Sequence, residues 1–251
     1  MKIHFLGSHN TETCINGMVC LLLDKQIALD AGSLTRHLTL QQQLDLKGVL
    51  ISHQHYDHIR DIPALIMNCF LNNGTAKIYG SQEVHSALKR HLLNNEIYSR
   101  FSDSPAFRFT IMPPSVVFSI DDYVVMPIAV NHSVPTQGYI IKKFGRSFFY
   151  TGDTGPGLKD CWLQIEPDLL ITELTAPNRF SNSEHAKVHF TPKLLQEELQ
   201  LFRAIKGYLP KIVVVHMNPS QESEISYELE TVSNTLSHEI IMAHEGQEID
   251  V

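Results

Sequence analysis

The chain has 251 residues and a formal net charge of −7, with 27 acidic and 20 basic side chains. An acidic chain repels phosphate backbones at long range, so extended nucleic acid is not expected as a partner. Hydrophobic residues make up 43% of the chain, which excludes disorder, and no apolar stretch approaches the ~18 residues that span a bilayer.

Short apolar runs bounded by turn residues predict strands in the first half of the chain. The run at 48–52 is apolar on both faces, as in a buried central strand. Helices are predicted after Asp61 and Ser81, which we interpret as N-caps. The predicted strands are 2–6, 17–23, 26–29, 48–52 and 76–79, and the predicted helices are 62–70 and 82–93.

Strands and helices alternate in the second half. The helix predicted at 192–205 has the clearest signals, with Thr191 as N-cap, Pro192 at its first position and Gly207 beyond its end. A further helix is predicted at 221–237. The predicted strands are 124–130, 139–142, 147–150, 169–172, 212–215 and 240–243. Without a linker or an internal repeat, the pattern predicts one mixed α/β domain over residues 1–251.

A cluster of metal-binding residue types directly follows the run at 48–52. His53, His55, Asp57 and His58 lie within six residues. Neutral imidazoles suit zinc and similar divalent metals, and a carboxylate adds an oxygen ligand. In an extended segment His53 and His55 point the same way, while Asp57 and His58 begin the next turn. One short segment is therefore expected to supply ligands to two neighbouring metals.

This His-x-His-x-Asp-His motif resembles the signature of the metallo-β-lactamase superfamily. Further segments resemble that family's landmarks in the same order: Leu-Asp-Ala-Gly at 29–32, Asn-His-Ser at 131–133, Thr-Gly-Asp at 151–153, Val-Val-Val-His at 213–216 and Ala-His-Glu-Gly at 243–246. The resemblance implies an α/β (α+β) fold, the metallo-β-lactamase αββα sandwich. In it, two mixed sheets lie face to face with helices outside, and the metals lie at one edge between the sheets.

The resemblance also implies a ligand set for two divalent metal ions, which act as cofactors. One ion would be held by His53, His55 and His132, the other by Asp57, His58 and His216, and Asp153 would bridge them. Zinc is favoured by this set of five histidines and two aspartates, and manganese or iron would also fit. Two adjacent dications would generate a hydroxide nucleophile from water at neutral pH.

Val188-His189-Phe190-Thr191-Pro192 precedes the helix at 192–205 and resembles a motif of class II cyclic nucleotide phosphodiesterases, a branch of this superfamily. Segments at 87–98, 152–156, 172–175 and 194–199 resemble that branch as well. A histidine at a helix N-terminus can stabilise a phosphoryl oxygen or protonate a leaving alkoxide. Asp57 and His189 are therefore the predicted catalytic residues. The predicted activity is that of a metal-dependent phosphoric diester hydrolase acting on a small nucleotide, including 3′,5′-cyclic nucleotides.

Other activities remain open for the same ligands. One alternative is an endoribonuclease of the tRNA 3′-end-processing type, and another is a thioester or lactone hydrolase; a metal-binding protein without turnover would be expected to lack part of the ligand set. The expected partner is a small phosphodiester, without a membrane, and a homodimer is left open. Four scattered cysteines and the lack of a signal-peptide pattern favour a cytoplasmic location. Residues flanking the predicted site whose contact with substrate is undecided are Tyr56, Arg60, Asn131, Glu173 and His185.

Overall fold

A computed structural model describes residues 1–96, 101 and 103–251. The strands within these residues are β1 (Lys2–Gly7), β2 (Cys20–Leu23), β3 (Ile27–Leu29), β4 (Gly48–Leu50), β5 (Ala76–Gly80), β6 (Phe107–Ile111), β7 (Phe118–Ile120), β8 (Tyr123–Val130), β9 (Thr136–Lys143), β10 (Arg146–Tyr150), β11 (Leu169–Glu173), β12 (Lys211–Val215), β13 (Ile240–Met242) and β14 (Glu248–Asp250). The α-helices are α1 (Leu34–His37), α2 (Leu40–Leu44), α3 (Tyr56–Ile59), α4 (Ile62–Leu71), α5 (Gln82–Ala87), α6 (Lys159–Gln164), α7 (Pro192–Lys206) and α8 (Glu222–Leu236), and a π-helical segment, Leu88–Leu92, continues α5.

The strands form two seven-stranded sheets of mixed direction. The first has the order β14-β1-β2-β3-β4-β5-β6 and the second the order β13-β12-β11-β10-β9-β8-β7. Within the first sheet β1, β2 and β3 pair antiparallel, and β3 to β6 pair parallel. The second sheet repeats this pattern, with antiparallel pairs from β7 to β10 and parallel pairs from β10 to β13.

Side chains alternate between two hydrophobic layers along each central strand. In β2, Leu21 and Leu23 belong to the cluster between the sheets, whereas Cys20 and Leu22 face the cluster beneath α4. A third cluster fills the space between the second sheet and helices α6, α7 and α8. This period of two buries both faces of each sheet. The predicted αββα sandwich is confirmed.

The structure corrects several local predictions. Asp61 is not a side-chain N-cap, because its carboxylate accepts hydrogen bonds from the backbone and hydroxyl of Thr35 at 2.8 and 3.0 Å. The strand predicted at 17–23 begins only at Cys20, and the helix predicted at 82–93 changes to π-helical geometry at Leu88. The sequence interpretation missed three strands, β6, β7 and β14, and four helices, α1, α2, α3 and α6, most of which are too short to show a period.

Other predictions agree with the structure or stay open. Thr191 accepts a hydrogen bond from the Leu194 amide, and Gly207 adopts a left-handed conformation at the end of α7. Two residues of the phosphodiesterase-like segment, Ile97 and Tyr98, lie outside the described residues. That residues 1–251 form one domain stays a prediction. No helix in the described part of the chain combines the length and apolar character needed to cross a bilayer.

Candidate metal centre

The histidine-rich motif begins where β4 ends. Its first two histidines lie in an extended segment, and His55 is the residue before α3. Asp57 and His58 lie within α3, and His58 is completely buried. The change from extended chain to helix turns the second pair of side chains away from the first pair. One segment thus presents side chains to two neighbouring points, as the spacing predicts.

The first group of ligand atoms belongs to His53, His55, His132 and Asp153, and all its atoms lie within 4.8 Å of one another. His132 follows β8 and Asp153 follows β10, so the second sheet supplies half of the group. The Nε2 atom of His132 lies 3.2 Å from Nδ1 of His55, and Nε2 of His53 lies 3.7 Å from Oδ2 of Asp153.

The second group comprises Asp57, His58, Asp153 and His216, again within 4.8 Å. Nε2 of His216 lies 3.1 Å from Asp57 Oδ2 and 3.2 Å from Asp153 Oδ2. His216 directly follows β12 and has a φ of 71°, a strained conformation for a residue with a side chain. Asp153 belongs to both groups, so the seven predicted ligands converge on two adjacent points.

Hydrogen bonds determine which ring nitrogen of each buried histidine faces the centre. His58 Nδ1 lies 2.7 Å from Asp30 Oδ2, and because a carboxylate only accepts, this nitrogen carries the proton. Ser52 Oγ donates to Asp30 at 2.8 Å and lies 3.0 Å from His53 Nδ1, from which it can accept. The neutral rings of His53 and His58 therefore present an unprotonated Nε2.

The histidines from the second sheet are oriented in the same way. His132 Nδ1 donates to the Val188 carbonyl at 3.0 Å. His216 Nδ1 lies 2.9 Å from Thr175 Oγ1, which itself donates to a carboxylate and is therefore free to accept. Both rings consequently direct an Nε2 lone pair towards Asp153. Such orienting partners are typical of histidines that bind metals.

Three atoms at this point are buried without a hydrogen-bond partner among the described residues, namely His53 Nε2, His58 Nε2 and Asp153 Oδ1. The last two lie only 3.2 Å apart. A lone pair that faces a buried carboxylate at this distance is unfavourable unless positive charge lies between the two atoms. The donor set therefore fits divalent cations of the borderline type, including zinc.

The electrostatics of the centre also favour positive charge. Burial alone would raise the pKa of Asp153, but His216, His58 and His53 hold it well below its usual value. Burial would likewise lower the pKa of His58, yet the carboxylates of Asp153, Asp30 and Asp57 raise it well above its usual value. A proton and a metal ion thus compete for the same position.

The Leu-Asp-Ala-Gly segment explains how the first sheet supports this centre. The backbone N–H of Ala31 donates to the His58 carbonyl at 2.7 Å. A Cβ on Gly32 would lie 2.1 Å from the backbone oxygen of Asp57 and 2.6 Å from Cβ of Met18. Only a glycine allows this loop to contact α3 so closely, which fixes the positions of Asp57 and His58.

His189 lies beside the ligand groups rather than within the first two. Its ring is parallel to that of His216, with centroids 5.7 Å apart. Nδ1 lies 2.7 Å from Glu173 Oε1, and Glu173 is completely buried. Burial alone would lower the pKa of His189, but the Glu173 carboxylate raises it to about 9. The Glu173 carboxylate therefore favours the protonated form of His189.

Glu173 connects this histidine to the metal ligands. Its Oε2 accepts a 2.6 Å hydrogen bond from Thr175, whose Oγ1 lies 2.9 Å from His216 Nδ1. Its Oε1 also accepts from the Thr154 amide at 2.9 Å. Glu173, His189 and His216 lie close enough to hold a metal. The oxygens of Glu173 are already occupied by these hydrogen bonds. We therefore interpret Glu173, His189 and His216 as a hydrogen-bond network rather than as a third metal site. Sequence interpretation missed Thr175, since a threonine after a strand carries no signal of such contacts.

The other flanking residues have structural partners or stay at the surface. Asn131 donates to the carbonyls of Pro156 and Lys187 at 2.8 and 2.9 Å, which fixes the loop that carries His132. Tyr56 is 60% exposed, and Arg60 pairs with carboxylates, among them Asp61 at 3.1 Å. His185 is exposed, and its ring centroid lies 6.1 Å from that of His189.

Comparison with known proteins identifies the family. The family model described as a beta-lactamase superfamily domain matches residues 26–217, which include all seven converging ligands. The chain belongs to the metallo-β-lactamase superfamily. The fold of this superfamily is that of metal-dependent hydrolases. Membership therefore implies divalent metal ions, in agreement with the cluster of histidines and aspartates at the centre.

Sequence relatives of this superfamily member include the Ribonuclease Z of Acaryochloris marina. It is 31% identical over 157 residues, which are 58% of this chain and 49% of that relative. The chain thus spans about half the length of this relative and of several others.

Among solved structures, unliganded yeast PDE1 superposes with a TM-score of 0.84 at 17% identity, over 100% of this chain and 99% of that one. The short form of human tRNase Z superposes with a TM-score of 0.71 at 19% identity, over 100% and 99% of the two chains. At these identities the two likenesses establish the shared fold.

Proposed function

We propose that this superfamily member is a metal-dependent phosphodiesterase that hydrolyses small nucleotides, including 3′,5′-cyclic nucleotides. The observation that carries the proposal is His189, whose Nδ1 proton is held by buried Glu173 beside the two ligand groups. A protonated histidine next to cations is costly unless an anion lies between them. A phosphodiester is such an anion, whereas a thioester or a lactone is neutral.

The roles of the residues follow from this arrangement. His53, His55 and His132 would hold one cation, Asp57, His58 and His216 the other, and Asp153 both. When bound, such cations supply Lewis acidity, which activates water and neutralises charge on phosphoryl oxygens.

Two side chains complete the proposed reaction. Asp57, with 22% of its side chain exposed, is open to solvent, so it would orient the attacking water. His189 would donate a hydrogen bond or a proton to the phosphoryl oxygen or to the leaving alkoxide.

The charges around the centre favour a small substrate. Three basic side chains on the surrounding loops form ion pairs: Arg60 with Glu12, Arg179 with Glu224, and Lys187 with Glu184. Each pair neutralises a charge that could otherwise attract an RNA backbone. Together with the net charge of −7, these pairs support a substrate that carries its own anionic group into the centre.

A second candidate activity is that of an endoribonuclease. It is favoured by the relatives named Ribonuclease Z, which align with this chain at 23 to 31% identity. The same centre would serve both activities, since RNA nucleotides are also joined by phosphodiesters. The two candidates differ in whether the substrate makes contacts beyond the centre.

The test is a hydrolysis panel with the full chain loaded with zinc or manganese. It contains bis-p-nitrophenyl phosphate, several 3′,5′-cyclic nucleotides, a precursor tRNA, a thioester and a lactone, and His53→Ala serves as the metal-ligand control. We expect turnover of the first two substrate types and its loss in the control. Cleavage of precursor tRNA alone would favour the endoribonuclease, and cleavage of only the thioester or the lactone would overturn the proposal.

A further inference from the structure

A cavity of about 230 Å³ adjoins the metal centre on the side of the second sheet. Its walls come from the loop after β1, from the two loops that follow β11 and β12, and from the segment before α7. Its lining includes Asn10, Thr175, Phe180, His189, Asn218 and Gln221. Thr175 and His189 also contact the hydrogen-bond network of the centre. A molecule that contacts His189 can therefore extend into this cavity.

The polar groups of the cavity include an unsatisfied one. The Oδ1 atom of Asn10 is buried and has no hydrogen-bond partner in the described part of the chain. Leaving such an acceptor unpaired is unfavourable, and a ligand donor would pair it once the Asn10 side chain turns towards the cavity. Asn218 uses its Oδ1 to accept from the Ser220 amide at 3.0 Å, which leaves its NH₂ group as a donor. The cavity thus offers both acceptors and donors from carboxamides.

An aromatic ring forms another part of the wall. Phe180 is half-buried, and the guanidinium of Arg179 lies 4.9 Å from its ring centroid. Two small residues, Ala176 and Ala186, also line the cavity. An aromatic face next to carboxamide groups suits a flat heterocycle, which contacts the ring through its face and the amides through its edge.

We infer that this cavity binds the nucleobase of a nucleotide, with the Asn10 carboxamide on the hydrogen-bonding edge of the base and Phe180 against its face. A carboxamide provides one donor and one acceptor side by side, and this pair matches the edge of a base such as adenine. The phosphate group of the same molecule then lies towards His189. The inference rests on the proposed function for its substrate and adds the part of the substrate that is recognised.

The test compares ligands that share a phosphate and differ in the base. Adenosine 5′-monophosphate and ribose 5-phosphate are titrated calorimetrically into the metal-loaded full chain. We expect the nucleotide to bind at least about tenfold more tightly, as one well-placed bidentate contact provides. Asn10→Ala and Phe180→Ala should each remove most of this preference. Asn234→Ala, an exposed asparagine of α8, should keep it.

Hydrolysis of bis-p-nitrophenyl phosphate separates this inference from the proposed function. The ester carries no base, so its turnover reports on the metal centre alone, and Asn234→Ala should hydrolyse it at the rate of the unmodified chain. If the unmodified chain fails to hydrolyse any phosphodiester, the proposed function is wrong, while the binding comparison still decides the base site. Equal binding of the two phosphates, or a preference that survives both cavity substitutions, would overturn the inference.

Discussion

The Asp30 carboxylate lies 2.7 Å from Nδ1 of His58, and both residues are completely buried. The same Oδ2 atom accepts a 2.6 Å hydrogen bond from the Tyr150 hydroxyl of the second sheet. Asp30 also has a φ of 58°, so its position depends on the surrounding contacts rather than on local preference. One carboxylate thus fixes the tautomer of a proposed ligand and connects the two sheets below the centre.

Asp30→Asn should weaken metal binding by about 10- to 100-fold, the usual effect of losing a carboxylate that orients a ligand histidine. The donors around Asp30 bind both of its carboxylate oxygens, whereas an amide provides only one acceptor oxygen. The NH₂ group of the amide would face His58 or Ser52. Competition with a chromophoric chelator measures the affinity. Asp45→Asn, an exposed aspartate, is the matched control. An unchanged affinity in Asp30→Asn would mean that His58 needs no such partner.

Removal of metal should lower the melting temperature. Without cations, His53 Nε2 remains buried and unpaired, and a proton has to take the place of the metal between His58 Nε2 and Asp153 Oδ1. A ligand at 100 times its dissociation constant adds about 2.7 kcal/mol to the free energy of unfolding. For a chain of this size, that corresponds to a rise in melting temperature of about 5 to 10 °C. Differential scanning calorimetry with zinc and with a chelator measures the shift. His53→Ala should show a smaller shift, and an equal shift in both proteins would place the bound metal elsewhere.

How much of this centre could be predicted from the sequence depends on how far apart its residues lie along the chain. His53, His55, Asp57 and His58 were predictable from residue type and spacing, because they lie within six residues. His132, Asp153 and His216 were predictable only through the family resemblance, since strand order alone brings them together. The sequence gives no indication of the cavity lined by Asn10 and Phe180, because these residues come from loops about 170 residues apart that share no sequence pattern. Strands β7 and β14 have three residues each, and only pairing with β8 and β1 defines them.

Glu245 should make stability depend on pH in the acid range. Burial would raise its pKa, but hydrogen bonds from His9 and from the Gly17 amide lower it to about 2. A carboxyl group whose pKa is depressed on folding stabilises the protein above its unfolded value of 4.5. This contribution is lost as the pH falls towards 2. The full shift would correspond to about 3 kcal/mol at neutral pH, and screening by solvent reduces the contribution of this partly exposed group below that value.

Urea unfolding of Glu245→Gln tests this contribution. The variant should be less stable than the unmodified chain at pH 6, and the difference should shrink steadily below pH 4.5. Glu239→Gln is the control, because that residue is exposed in the connection between α8 and β13. A difference that stays constant from pH 6 to pH 3 would contradict the role of ionised Glu245.

His189→Ala should separate metal binding from turnover. The His189 side chain contacts Glu173 and Thr175 but belongs to neither of the two groups that share Asp153. The variant is therefore expected to bind the same number of metal ions as the unmodified chain. Its turnover of phosphodiesters should fall about 10²- to 10⁴-fold, the range for loss of a general acid. Elemental analysis and hydrolysis of bis-p-nitrophenyl phosphate measure the two quantities on one preparation. His91→Ala, an exposed histidine of the π-helical segment, should change neither. Loss of one metal in His189→Ala would instead make this histidine a ligand, and unchanged turnover would remove the phosphoryl-specific argument, because the centre would then act without a protonated histidine.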